Sequence, residues 1–140
     1  MSEILNNNDP YHFRMEMEVR DYELDCELIV NNANYLHYLE HTRHKFCKEA
    51  GYPFIDMHNA GIDAVVRKME LEYHTPLKSG DSFFSCLRIE RKGPRFIFHQ
   101  DLLMPNGDLV LKAVVTIVAL KDGKLSKGDE IAEAFKKYLE

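Results

Sequence analysis

Asp25 is the residue best placed to do chemistry in this chain, because it stands one short loop ahead of an amphipathic run that begins at Asn34. A carboxylate at that point can act as a nucleophile, or as a base toward water, beside the N–H groups that a first helical turn leaves unpaired. The same N–H groups suit an oxyanion developing on an attacked carbonyl. The plain alternative is a solvated loop carboxylate, the commonest fate of an aspartate.

Other side chains compete for attention. Glu40 and Arg43 lie three residues apart on the same run and can pair, a contact worth about 0.2–0.5 kcal/mol. His37, Glu40 and His41 fit an H-x-x-E-H pattern, with His44 on the same face, so a divalent metal is conceivable there. No further distal ligand or cleft can be identified, and a polar helix face explains the pattern better. Arg88, Arg91, Lys92 and Arg95 surround a Gly93-Pro94 turn, suiting either phosphate or an ordinary charged hairpin tip. Cys26 has no histidine placed to activate it, so it reads as a small apolar filler. Phe83, Phe84, Phe96 and Phe98 read as core, although one or two could line a pocket.

The elements that must position these residues follow from period and punctuation. Residues 1–10 are Asn-rich and suggest a loose arm, and 12–20 alternate apolar and charged side chains as a half-buried strand does. Leu36, Leu39, Arg43, Phe46, Cys47 and Ala50 recur at helical spacing until Gly51 and Pro53 end the run, with Asn32 or Asn34 as its cap. Strand-like runs at 62–73, 82–90, 95–103 and 109–120 are separated by turn residues, which predicts consecutive antiparallel strands. The last is apolar nearly throughout, as a central strand covered on both faces would be. Residues 129–139 read as a short terminal helix capped by Asp129. The sum is a single α+β domain over 1–140, a curved antiparallel sheet of about five strands around one long helix.

The spacing of Asp25, nine residues, Tyr35, then Glu40 and Arg43 on the helix resembles the 4-hydroxybenzoyl-CoA thioesterase-like branch of the hotdog-fold superfamily. The resemblance runs from about residue 12 to residue 121. It implies an acyl-CoA thioesterase with Asp25 as the catalytic residue and the backbone N–H of Asn32 as oxyanion donor. By the same resemblance Glu40 is a reserve catalyst, since another branch uses a helix carboxylate. Tyr35, Arg91, Lys92 and Arg95 become the substrate-binding set, the cations serving coenzyme A. The resemblance further implies sheets paired edge to edge in a homodimer or a dimer of dimers, with coenzyme A entering only as part of the substrate and no other cofactor. Glu27 and Leu28 stand where the family usually has glycine, and that departure favours a rival, a non-catalytic acyl-CoA-binding module. An acyl-carrier-protein thioester is the nearest variant of the substrate.

Bulk properties narrow the field. With 18 basic and 23 acidic residues and a net charge of −5, no overall field favours nucleic acid. Three cysteines without CxxC spacing give no disulfide framework, and Met1-Ser2-Glu3 lacks the basic and apolar start of a signal sequence. A cytoplasmic protein without integral membrane association is the expectation.

Overall fold

The apolar stripe of the long run becomes helix α1, Asn32–Glu49, in which Tyr35, Tyr38, Leu39, Thr42, Arg43, Phe46 and Cys47 are buried. That is a three-and-four spacing along one face, and the face lies on a sheet. Phe46 shows how tightly: its ring meets those of Phe13, Phe98, Phe135 and Tyr138 at centroid distances between 5.2 and 6.3 Å. The helix ends where Gly51 takes φ 98°, which an L-residue resists, and the Tyr52 N–H folds back onto the Cys47 carbonyl at 2.9 Å.

A computed structural model describes residues 2–6 and 8–139 of the protein. Its sheet has seven strands: β1 (Ser2–Ile4), β2 (Phe13–Glu18), β3 (Ile62–Tyr73), β4 (Ser82–Lys92), β5 (Arg95–Leu103), β6 (Leu109–Lys121) and β7 (Lys124–Leu125). All pairings are antiparallel in the order β1-β2-β4-β5-β6-β3, with β7 a short addition to β6. The strand boundaries agree closely with the sequence periods, and β6 buries Val110 with Leu111 and Ile117 through Ala119, so both its faces are covered in part. The expected sheet of about five strands is present as β2 to β6, extended by the short β1 and β7. Two expectations are corrected. The supposed loose arm contributes β1, with Glu3 opposite Arg14. Nor do the four strands run consecutively: β3 pairs with β6, and residues 74–81 cross the end of the sheet to bring β4 beside β2. Turn residues mark where a chain bends, while pairing is decided by long-range packing.

The polar interior is fully used. Thr42 donates to the Tyr38 carbonyl at 2.7 Å and shares a 2.6 Å bond with Ser85 of β4. Arg43 donates to Gln100 at 3.0 Å, and Gln100 donates to the Leu39 carbonyl at 3.1 Å. Among the described residues no buried side-chain nitrogen or oxygen lacks a partner.

A second short helix, α2 (Phe54–Asn59), follows Pro53 and was invisible to periodicity because it spans only six residues. The terminal helix is shorter than expected: α3 covers Asp129–Ala134 and a 3-10 turn covers Lys136–Tyr138. Its cap is Gly128 at φ 75°, not Asp129. A side chain at Gly128 would meet the Phe96 ring at 2.5 Å, so close packing as well as φ requires glycine. Among the described residues, no helix is long and apolar enough to cross a membrane.

Candidate active site

Residues 23–31 form a small closed loop ahead of α1. Leu24 bridges Val30, the Asp25 N–H reaches the Ile29 carbonyl at 2.8 Å, and the Leu28 N–H reaches the Asp25 carbonyl at 3.1 Å. Asp25 is half-buried in this turn; its Oδ1 accepts the Glu27 N–H at 2.8 Å, and its Oδ2 has no partner among the described residues. Leu28 supplies the residue the turn demands in the left-handed region, at φ 64°, with its side chain 70% exposed. The backbone therefore follows a glycine path without a glycine.

The helix start lies directly behind the loop. The cap is Asn31, correcting the choice of Asn32 or Asn34: its side chain accepts the Ala33 N–H at 2.9 Å and its carbonyl accepts the Asn34 N–H at 2.9 Å. The Asn32 N–H has no acceptor among the described residues, so this donor of the first turn stays open.

The crossover of residues 74–81 forms the third wall. Ile29 bridges Lys78, the Val30 N–H reaches the Leu77 carbonyl at 2.9 Å, and the Leu77 N–H donates to the Tyr35 hydroxyl at 3.1 Å. A recess of about 120 Å³ remains, lined in part by Ile29, Asn32, Tyr35, Tyr73, Pro76 and Val110. The Tyr35 phenol is pushed up, first by burial and further by the charges of Tyr73, Asp25 and Asp81, against the opposing Leu77 N–H. Asp25 and Tyr35 thus share one electrostatic neighbourhood. Glu23 and the crossover were missed by sequence reasoning, because their contacts join segments with no common period.

The remaining candidates lie elsewhere. Glu40 is exposed and makes no ion pair among the described residues, while Arg43 turns inward to Gln100, so the expected Glu40–Arg43 pair does not form. His37, His41 and His44 share the exposed helix face, but His44 lies against the Phe54 ring at 4.4 Å. No three His, Cys, Asp or Glu side chains among the described residues converge on a metal position. Cys26 is exposed, not a buried filler, and Phe84 is only half-buried, on the face that carries Arg14.

Arg91, Lys92 and Arg95 sit at the opposite end of the sheet. Arg95 is level with Val118 on β6 and so with Val65 on β3, eight residues from Tyr73 at the recess, or about 25 Å at the rise of a strand. Arg91 is already committed, donating to the Gly93 and Lys127 carbonyls and to Asp129 at 2.9, 2.7 and 2.9 Å. Lys92 and Arg95 are exposed.

The profile of the thioesterase-like superfamily matches residues 19–139. The chain is 33% identical over 101 residues to the chloroplastic acyl-acyl carrier protein thioesterase ATL3 of Arabidopsis thaliana, a match covering 71% of this chain and 53% of that protein. It therefore spans about half the length of that relative. It is 29% identical over 128 residues to the long-chain acyl-CoA thioesterase FadM of Escherichia coli, covering 89% of this chain and 95% of FadM. A crystal structure of a hypothetical protein from Aquifex aeolicus superposes with a TM-score of 0.82 at 29% identity, covering 87% of this chain and 98% of the other.

Proposed function

Since the chain belongs to the thioesterase-like superfamily and has its hotdog fold, we propose that it hydrolyses an acyl-CoA thioester to a carboxylic acid and free coenzyme A. Asp25 accepts a proton from water as the water adds to the carbonyl, or adds itself and is released by water in a second step. The open Asn32 N–H receives the oxyanion. Collapse expels the thiolate, which takes up the proton. One observation carries the assignment: the Asn32 N–H of the first helical turn, without an acceptor among the described residues, follows a tight turn that holds a half-buried carboxylate whose Oδ2 likewise has no partner among them. Leu28 supports it, because the turn keeps its left-handed step in spite of the missing glycine. Glu27 and Leu28 still stand in place of glycine, the feature that favours the rival, a non-catalytic binding module.

The proposal includes a second copy. β3 is a twelve-residue edge strand whose Val66 and Tyr73 are each 46% exposed, with Ala64, Met69 and Leu71 only partly covered. Such an edge invites pairing. An antiparallel two-fold pairing of β3 with its copy sets the recess of one subunit near the β4–β5 tip of the other, closing the gap that separates Arg95 from Asp25 within one chain. Lys92 and Arg95 then meet the phosphates of coenzyme A, Arg91 holds the terminal helix, and the Tyr35 ring lines the acyl recess. The likeness to ATL3 supports an acyl-carrier-protein thioester as the alternative substrate.

The test is thiol release from short, long and aromatic acyl-CoAs by wild type, Asp25→Asn and Glu40→Gln, with one acyl group also presented on carrier protein. A loss of about 100-fold or more in Asp25→Asn alone, some 2.7 kcal/mol, supports the assignment. Loss only in Glu40→Gln would move the catalyst to the helix. No turnover of any thioester by wild type would restore the binding module.

A further inference from the structure

We propose that Glu23 is the positioning residue of the Asp25 loop, a role that rests on the assignment of Asp25 as catalyst. Glu23 is 7% exposed. Its Oε1 accepts the Arg20 N–H at 2.7 Å and the Tyr38 hydroxyl at 2.9 Å. Its main-chain carbonyl accepts the Asn31 N–H at 3.0 Å and the Asn34 side-chain amide at 2.7 Å. One residue thereby joins three places: the chain leaving β2, the cap of α1, and the second turn of α1.

The loop from Glu23 to Asn31 is closed on itself at Glu23, and Asp25 and the open Asn32 N–H stand on either side of that closure. Their separation is set there. A carboxyl group is an expensive choice for a buried anchor unless its bonds matter, because an unpaired buried polar group costs free energy that an apolar filler does not. The Tyr38 phenol is pushed up, chiefly by burial and next by its bond to Glu23, so it stays a donor at any ordinary pH. Catalytic groups must be held to within a fraction of an ångström, and misplacement of about 1 Å can cost about 100-fold. Glu23 touches no reacting atom in this scheme; it acts through the loop.

The variants Glu23→Ala, Glu23→Gln and Tyr38→Phe in the full chain separate this role from general support of the fold. The glutamine keeps an acceptor oxygen for both donors. Per folded molecule, Glu23→Ala is expected to lower kcat by about tenfold or more with KM within about threefold, while Glu23→Gln returns to within about threefold of wild type. Tyr38→Phe falls between them. Combining Glu23→Ala with Asp25→Asn is expected to be no slower than Asp25→Asn alone, since both act on one group. Amide hydrogen exchange over 24–31 is expected to quicken in Glu23→Ala and not in Glu23→Gln. Unchanged kcat and loop exchange in Glu23→Ala, with only a lowered unfolding midpoint, would overturn the role while leaving Asp25 in place. Wild-type turnover by Asp25→Asn would overturn both, a result the exchange data alone could not give.

Discussion

The hydroxyl of Tyr35 accepts the Leu77 N–H at 3.1 Å across 42 residues of sequence, fastening the first turn of α1 to the crossover. Leu77 is fully buried, so its N–H has no recourse to water. Tyr35→Phe is expected to cost about 1–3 kcal/mol in urea unfolding, the range for a buried donor left unsatisfied. Turnover should fall with it, because the recess wall is no longer pinned.

Leu28 holds a left-handed conformation that costs an L-residue about 1–2 kcal/mol. Its side chain is 70% exposed, so replacing it removes little packing within the chain. Leu28→Gly is therefore expected to stabilise the protein by about 0.5–1 kcal/mol after the larger chain entropy of glycine is subtracted. The urea midpoint should rise at constant slope. A fall would mean that a partner subunit covers Leu28.

If Asp25 and the Lys92–Arg95 pair of one site come from different subunits, two crippled proteins can rescue each other. Asp25→Asn and the Lys92→Ala, Arg95→Ala double variant should each be weak at low substrate. Unfolded together and refolded in equal amounts, half the dimers are mixed and each mixed dimer has one intact site, giving about a quarter of wild-type activity. No recovery would place both elements in one chain.

His12 gives the fold a sensitivity to acid. Its Nδ1 accepts the Ile89 N–H at 3.1 Å, and burial, followed by the charge of Arg88, holds its pKa below 6.5. The unfolded chain therefore binds a proton that the folded ring refuses, so this stability is present above 6.5 and drains away as pH falls through that value toward the folded pKa. His44, also lowered by burial, contributes with the same sign. Wild type should lose stability between about pH 7.5 and pH 5, and His12→Gln, which keeps an acceptor but does not titrate, should lose less. Unfolding curves at the two pH values decide it.

What the sequence disclosed was local. The period of α1 was plain because Leu39, Arg43, Phe46 and Cys47 all face the sheet, and β3 through β6 were bounded by turn residues that the structure uses as such. The order of the strands was hidden, because nothing in residues 74–81 says that β3 must seek β6. β1 is three residues long, too short to show a period. Asn31, Asn32 and Asn34 are chemically alike, so only the geometry singles out the cap. Arg43 looked outward to Glu40 because its actual partner, Gln100, is 57 residues away.

The same crossover has a consequence for how the chain is made. β2 has no long partner until β4 exists: Phe13 lies opposite Leu87 and Glu18 opposite Ser82. Closing so wide a loop is entropically unfavourable and rewards the chain only once most of the core has been synthesised. On the ribosome, β2 and the amphipathic helix wait with their apolar faces uncovered while β3 and β4 emerge. Substitutions that weaken β4 should therefore show first as poor yield and aggregation during expression, before any change is seen in the purified fold.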